Sequence, residues 1–381
     1  MNRINKILIL AIVLISVTKI SFATEEIIKS QLETLNISSL IDSGNRYTNE
    51  KFSEIDTNDL LNQALTGSID KSILYEALLK VLGDEFVSGI TIISTIIAII
   101  IIHTIVKSIS ENLANKGVGE IAYFVEYVLI VGILMVNFSG ILSNIRSSIQ
   151  DVTGYINSLV PILLALLTTM GNIVTASFVQ PLIIFSIVFI TNAINNFIIP
   201  IVLVATIIGI VGNLSEEVQI GKLSKFFKSS ILWVLGIIIT VFTSILSIEG
   251  SITSNLDGLA LKGIKTATTT FVPIVGKALG ESADTVLGCT NIIKNGIGIV
   301  GIIMIILICA VPIIKLAVLT IAYYFTAAVC EPVADKKIVE VIGQIAGTFK
   351  ILLAIMFFVA TMFIIGLAMV LKISNSGMMY R

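Results

Sequence analysis

The chain has 381 residues, of which 56% are hydrophobic and only 13% charged, with a mean hydropathy of +1.02 and a net charge of −1. Soluble domains carry about 25% charged residues, so this composition excludes a soluble globular protein, and its near-neutral balance gives no electrostatic case for binding nucleic acid. One histidine (His103) and three cysteines (Cys289, Cys309 and Cys330) supply neither a His/Cys zinc site nor a disulfide framework.

The chain opens with a short basic stretch, Met1 to Lys6, then an apolar run from Ile7 to Val17 and the small-x-small sequence Ser21-Phe22-Ala23. This is the build of a secretory signal peptide cleaved after Ala23. The run is shorter than the about 20 apolar residues of a spanning helix, which favours cleavage over an uncleaved anchor. Residues 24–86 are polar and are expected outside the cytoplasm as short amphipathic helices. Asp56 precedes Leu60 and Leu61 as a helix start, and Leu74, Leu78, Val81 and Leu82 recur at helical spacing. Such helices either pack on each other and on the membrane surface or dock a partner.

Apolar stretches follow at 89–106, 121–143, 159–178, 181–213, 231–248, 296–313, 316–330 and 351–371. They predict an all-α polytopic membrane protein with about 8–10 transmembrane helices. The stretch 181–213 is too long for one span of ordinary tilt and carries Asn192, Asn195 and Asn196, so it reads as two short helices or a broken one. The segment Asn213 to Lys228 holds Lys222, Lys225 and Lys228. Lysine enrichment marks cytoplasmic loops, which places this segment inside, as a helix along the inner interface. From an outside start that side requires five preceding spans, and so two crossings by 181–213. Residues 249–295 mix Asp257, Lys262, Lys265, Lys277, Glu281 and Asp284 with Thr and Gly. They are too polar to face lipid, and read as a re-entrant hairpin or a helix shielded by protein.

Val160-Pro161-Ile162 resembles Val272-Pro273-Ile274, and Pro200-Ile201 resembles Pro312-Ile313, both at an offset of 112 residues. A basic loop follows each unit. The pattern fits two internal repeats of the kind transporters use, or chance identity in an isoleucine-rich chain. The resulting organisation is a signal peptide (1–23), an extracytoplasmic helical segment (24–86) and a first transmembrane pair (87–150). A first transmembrane repeat (151–248), a polar region with the second repeat (249–371) and a tail (372–381) follow.

No enzyme motif is present: there is no phosphate loop, nucleophile elbow or His-Glu-x-x-His, and no cofactor is implied. Intramembrane ionisable groups are costly in lipid and hence functional candidates. Glu126, near one end of its span, and Lys315, beside Pro312, qualify, as do the asparagines Asn192, Asn195 and Asn196. Each also has a structural explanation: Glu126 can reach the interface, Lys315 can mark a turn, and His103 can sit at an interface. Gly296, Gly298 and Gly301 suit close helix packing.

Five segments together resemble the stage III sporulation protein AE family of endospore-forming bacteria. They are Asn213-Leu-Ser-Glu-Glu217 with Lys222 to Ser230, Ser247 to Gly250 with Asp257-Gly258, Val272 to Lys277, Ile293 to Gly301, and Pro312 to Lys315. The resemblance covers essentially the whole mature chain and is clearest over 195–340. Glu331-Pro332 stands where a Gln-Pro pair is expected. The resemblance implies a multi-pass membrane subunit of a secretion-like channel complex between mother cell and forespore, in the mother-cell-derived membrane around the forespore. Implied partners are other stage III sporulation A-type membrane and ring proteins, a cytoplasmic ATPase and membrane lipid. It transfers no active site. A permease-like or channel-lining subunit, a non-conducting scaffold and an independent secondary transporter stay open as roles.

Overall fold

The computed structural model describes the backbone over 28–35, 37–48, 52, 54–111, 116–212, 220–271 and 275–379. Within these ranges the side chains of 249–271, 275–284, 373–379 and several positions between 103 and 126 lie outside the description, as does the expected signal peptide. Every regular element among the described residues is helical. After a short helical segment at 28–34 come α1 (Ser38–Thr48), α2 (Thr57–Thr66), α3 (Lys71–Glu111), α4 (Lys116–Thr169) and α5 (Ile173–Asn192). A π-helical turn (Ala193–Ile198) leads directly into α6 (Ile199–Gly212), followed by α7 (Gly221–Phe271), α8 (Val275–Cys330) and α9 (Lys336–Met379).

Among the described residues, six helices are long and apolar enough to cross a membrane, fewer than the about 8–10 that apolar stretches of bilayer length predict. The difference arises where polar or Pro-bearing residues look like breaks and are not. Residues 181–213 do not cross twice: 173–212 is one helical rod of 40 residues, about 60 Å long. Residues 296–313 and 316–330 belong to a single helix that runs through Lys315. Conversely, 159–178 contains a reversal. Gly171 sits there at φ 81°, its N–H bonded to Thr168 and the Asn172 N–H to Leu167, the Schellman arrangement that ends α4. Among the described residues, three spans therefore precede the lysine segment instead of five.

The polar segment before the spans is stapled to the body. Asp56 caps α2 through the Asn58 N–H (2.7 Å), and Asp70 accepts from the Ser72 N–H (2.9 Å) and hydroxyl (2.5 Å) at the start of α3. Those bonds to Ser72 hold the Asp70 carboxyl below its usual range. Residues 71–86 form the first turns of α3, so Leu74 and Leu78 pack on the main core and Val81 is buried in it. The Ser43 and Ser158 hydroxyls lie 3.4 Å apart, Thr290 donates to Gln31 (3.1 Å), and Leu65 lies against Gly296. Tyr47 packs over Gly154, where burial and the Asp151 carboxylate push its hydroxyl pKa up against the pull of Arg46.

Helix α8 is the hub of the body, touching α2, α3 and α4 and pairing most extensively with α9. Gly301 allows this closeness, since a Cβ there would stand 2.5 Å from Leu159 and 3.0 Å from Leu367. Phe138, Tyr323 and Phe349 knit α4, α8 and α9, with Tyr323 edge-on to Phe349 at 5.1 Å and Phe138 at 5.9 Å. Pro332 lies just past the end of α8, and the Asp335 carboxylate accepts from the Lys337 N–H (3.0 Å) to open α9.

An offset of 112 residues brings Pro200 onto Pro312 and the start of α7 to within three residues of the start of α9. The same offset carries the reversal at 170–172 onto 282–284, inside α8, and carries Pro161 of α4 onto Pro273, outside the described residues. The backbone of 249–271 continues α7 and that of 275–284 opens α8. Whether these polar turns line a cavity lies with side chains outside the described residues.

Candidate functional site: a basic groove at one end of the helix body

Where α7 begins, three helices are drawn together by side-chain polar groups. Ser224 is fully buried and its hydroxyl donates to the Ala205 carbonyl of α6 at 2.6 Å. Gly209 makes the approach feasible, because a Cβ there would meet the Ser224 hydroxyl at 2.9 Å and the Gln344 amide oxygen at 3.1 Å. The Thr206 and Thr348 hydroxyls lie 3.0 Å apart, joining α6 to α9. Lys228 then reaches from α7 to α9, donating to both the backbone carbonyl and the side-chain oxygen of Gln344 at 3.2 Å. In an apolar body such contacts are worth about 0.6 kcal/mol each and mainly set register.

The last of these ties, Lys228 to Gln344, lies in the wall of a groove of about 600 Å³. Lys222, Lys225 and Lys228 of α7 line it together with Tyr324 of α8 and Glu340, Gly343, Gln344 and Gly347 of α9. Lys222 and Lys225 are exposed at the mouth and Lys228 is half-buried. Three ammonium groups face one carboxylate, and among the described residues no ion pair engages the lysines. The groove is therefore built to receive an anion.

The structure thus brings together the three lysines singled out from the sequence and separates them from the other candidates. Asn192, Asn195 and Asn196 lie on the rod at the π turn, where the Ile199 N–H bonds five residues back to Ile194. Pro200 comes next and has no N–H for the carbonyl four residues before it, which explains a local change of helix type. Asn196 donates weakly to Asn192 (3.4 Å), while the Asn195 carbonyl oxygen is buried with no hydrogen-bond partner among the described residues. Lys315 is half-buried within α8, nine residues before Tyr324, so it marks no turn. The side chains of Glu126 and His103 lie outside the described residues. All three cysteines are free and buried.

Two buried charges escape a reading of apolar stretches. Glu85 and the fully buried Lys294 lie just before the stretches that begin at 89 and 296. Lys294 reaches the Leu371 carbonyl at 3.5 Å. Gln344, Tyr324 and Glu340 also carry no sequence signal, because only the crossing of α7 with the α8–α9 hairpin gives them a shared surface.

The sequence profile described as stage III sporulation protein AE matches residues 55–374. A protein of Bacillus subtilis (strain 168) named Stage III sporulation protein AE is 26% identical over 306 residues, covering 80% of this chain and 77% of that one. No solved structure matches the chain.

Proposed function

Because the chain belongs to the stage III sporulation protein AE family, we propose that it is a multi-pass membrane subunit of the mother cell–forespore channel complex, acting as a channel-lining component without enzymatic activity of its own. The observation that carries this reading is family membership across 55–374 on a body of six apolar helices. In it, ATP hydrolysis belongs to a cytoplasmic partner, ring proteins occupy the space between the two membranes, and the chain resides in the mother-cell-derived membrane around the forespore.

Among the described residues, the best-defined interior space leaves little room for cargo. The enclosed space between α4, α5, α8 and α9 is lined almost wholly by apolar side chains such as Leu159, Ile187, Ile305 and Phe363. Its accessible volume of about 30 Å³ leaves room for about two water molecules. A conduit in this reading therefore forms between neighbouring chains. The same filled interior supports a second reading, a non-conducting scaffold that positions the other subunits.

A strain lacking the protein is expected to grow normally and to stop spore formation after engulfment, measured as heat-resistant spore yield. Normal sporulation of that strain refutes both readings. Substitutions confined to 249–295 separate them. A channel-lining subunit loses spore yield while still co-purifying with its ring partners, whereas a scaffold loses yield only when co-purification fails.

A further inference from the structure

A second recess lies on α7, beyond the basic groove. Leu232, Trp233, Gly236, Ile237, Thr240 and Val241 form a shallow apolar trough of about 560 Å³. Gly236 and Thr240 make its floor low between larger neighbours, and Trp233 is 74% exposed at its edge. The two recesses share one stripe of the helix, since Lys222, Lys225, Gly236 and Thr240 fall within about 60° of one another at 100° per residue. From Leu232 to Val241 the trough runs nine residues, about 14 Å, which is close to half the hydrocarbon thickness of a bilayer.

We propose that α7 carries a binding site for an anionic phospholipid, its phosphate held by Lys222, Lys225 and Lys228 and one acyl chain lying in the Leu232–Val241 trough. Charge complementarity selects the headgroup, because among the described residues three ammonium groups line the groove with a single carboxylate, that of Glu340. Of the three N–H donors of Lys228, two are assigned to Gln344, which fixes that ammonium at the base of the groove. Gly343 and Gly347 keep the opposite wall low enough for a headgroup to enter. Lysine-rich segments mark the cytoplasmic leaflet, and basic pockets between transmembrane helices on that side suit anionic headgroups. An aromatic ring beside the upper acyl chain suits the same leaflet.

Trp233 is the sole tryptophan of the chain, so its fluorescence reports on this trough alone. The full-length protein is placed in phosphatidylcholine nanodiscs doped with phosphatidylglycerol or phosphatidylcholine bearing brominated acyl chains. Brominated phosphatidylglycerol is expected to quench Trp233 with about tenfold preference over its phosphatidylcholine counterpart, as a few lysine contacts to an anionic headgroup imply. The double variant Lys222→Gln/Lys225→Gln should lose that preference, while Lys336→Gln/Lys337→Gln, at the same end but outside the groove, should keep it. Equal quenching by the two lipids overturns the site, as does loss of preference in both double variants, which signals a general surface potential. Inorganic phosphate at matched ionic strength should leave the preference intact, and its abolition assigns the groove to a free anion instead. Binding of polyglutamate to a protein that shows no lipid preference overturns the site in favour of an acidic protein partner.

Discussion

Helices α8 and α9 and helix α7 are all apolar enough to cross a membrane, yet they solve different problems. More than half of the spanning residues of α8 and of α9 are buried, 56% in each, against 17% for α7. The α8–α9 pair meets protein on most sides, so its glycines and small residues are set by what they touch. Helix α7 meets the body through Ser224, Lys228 and one apolar edge, and leaves Trp233, Ile237 and Val241 exposed. Similar hydrophobicity thus encodes a packing core in one place and a solvent-like face for lipid or another subunit in the other.

The sharpest test of this contrast is all-or-none and concerns sidedness. The N-terminal end of α7 and the facing ends of α8 (Tyr324) and α9 (Glu340) line one groove, so exposed Ser229 and, in the turn between α8 and α9, exposed Val333 belong on one side. Cysteines at both should resist a membrane-impermeant thiol reagent in intact cells, while one at exposed Asp59 should react. Unlike behaviour of the first two breaks the hairpin arrangement. Ser224 is unsuited to this experiment because its burial would protect a cysteine from either side.

Energetic effects follow in decreasing size. Leu352→Ala, at a fully buried position of α9, should cost about 3 kcal/mol, whereas Leu232→Ala on α7 should stay within about 0.5 kcal/mol. Thermal aggregation in detergent compares the two, and equal losses would erase the distinction. Gly301→Leu should destabilise by about 2 kcal/mol through overpacking against Leu159. Gly236→Leu meets nothing within 4 Å and should be tolerated, measured as the monodisperse fraction after heating. Ser224→Ala, which removes the bond to Ala205, should cost about 1 kcal/mol. A full-size loss there would show that α7 depends on the body as heavily as α9 does.

Much of the organisation is legible in the residues. The helical class, the span-bearing character and the grouping of Lys222, Lys225 and Lys228 follow from local properties: hydropathy, helical spacing and lysine placement. Legibility fails where a residue's effect depends on a distant partner. Lys315 and the three asparagines look like interruptions, yet the helices pass through them because intrahelical backbone bonds persist whatever the side chain is. Gly171 is the true reversal, and its conformation with positive φ is hidden inside the apolar stretch 159–178.

By itself the sequence determined that this chain lives in a membrane and that it does so as helices, because both depend on the transfer of a segment from water to lipid. Only the tertiary structure decided how many helices the apolar stretches make and which of them are lipid-facing. It also decided that Tyr324, Glu340 and Gln344 complete the lysine groove. Those outcomes depend on contacts between residues more than a hundred positions apart, such as Lys228 and Gln344, and neither helical periodicity nor hydropathy carries information over that separation.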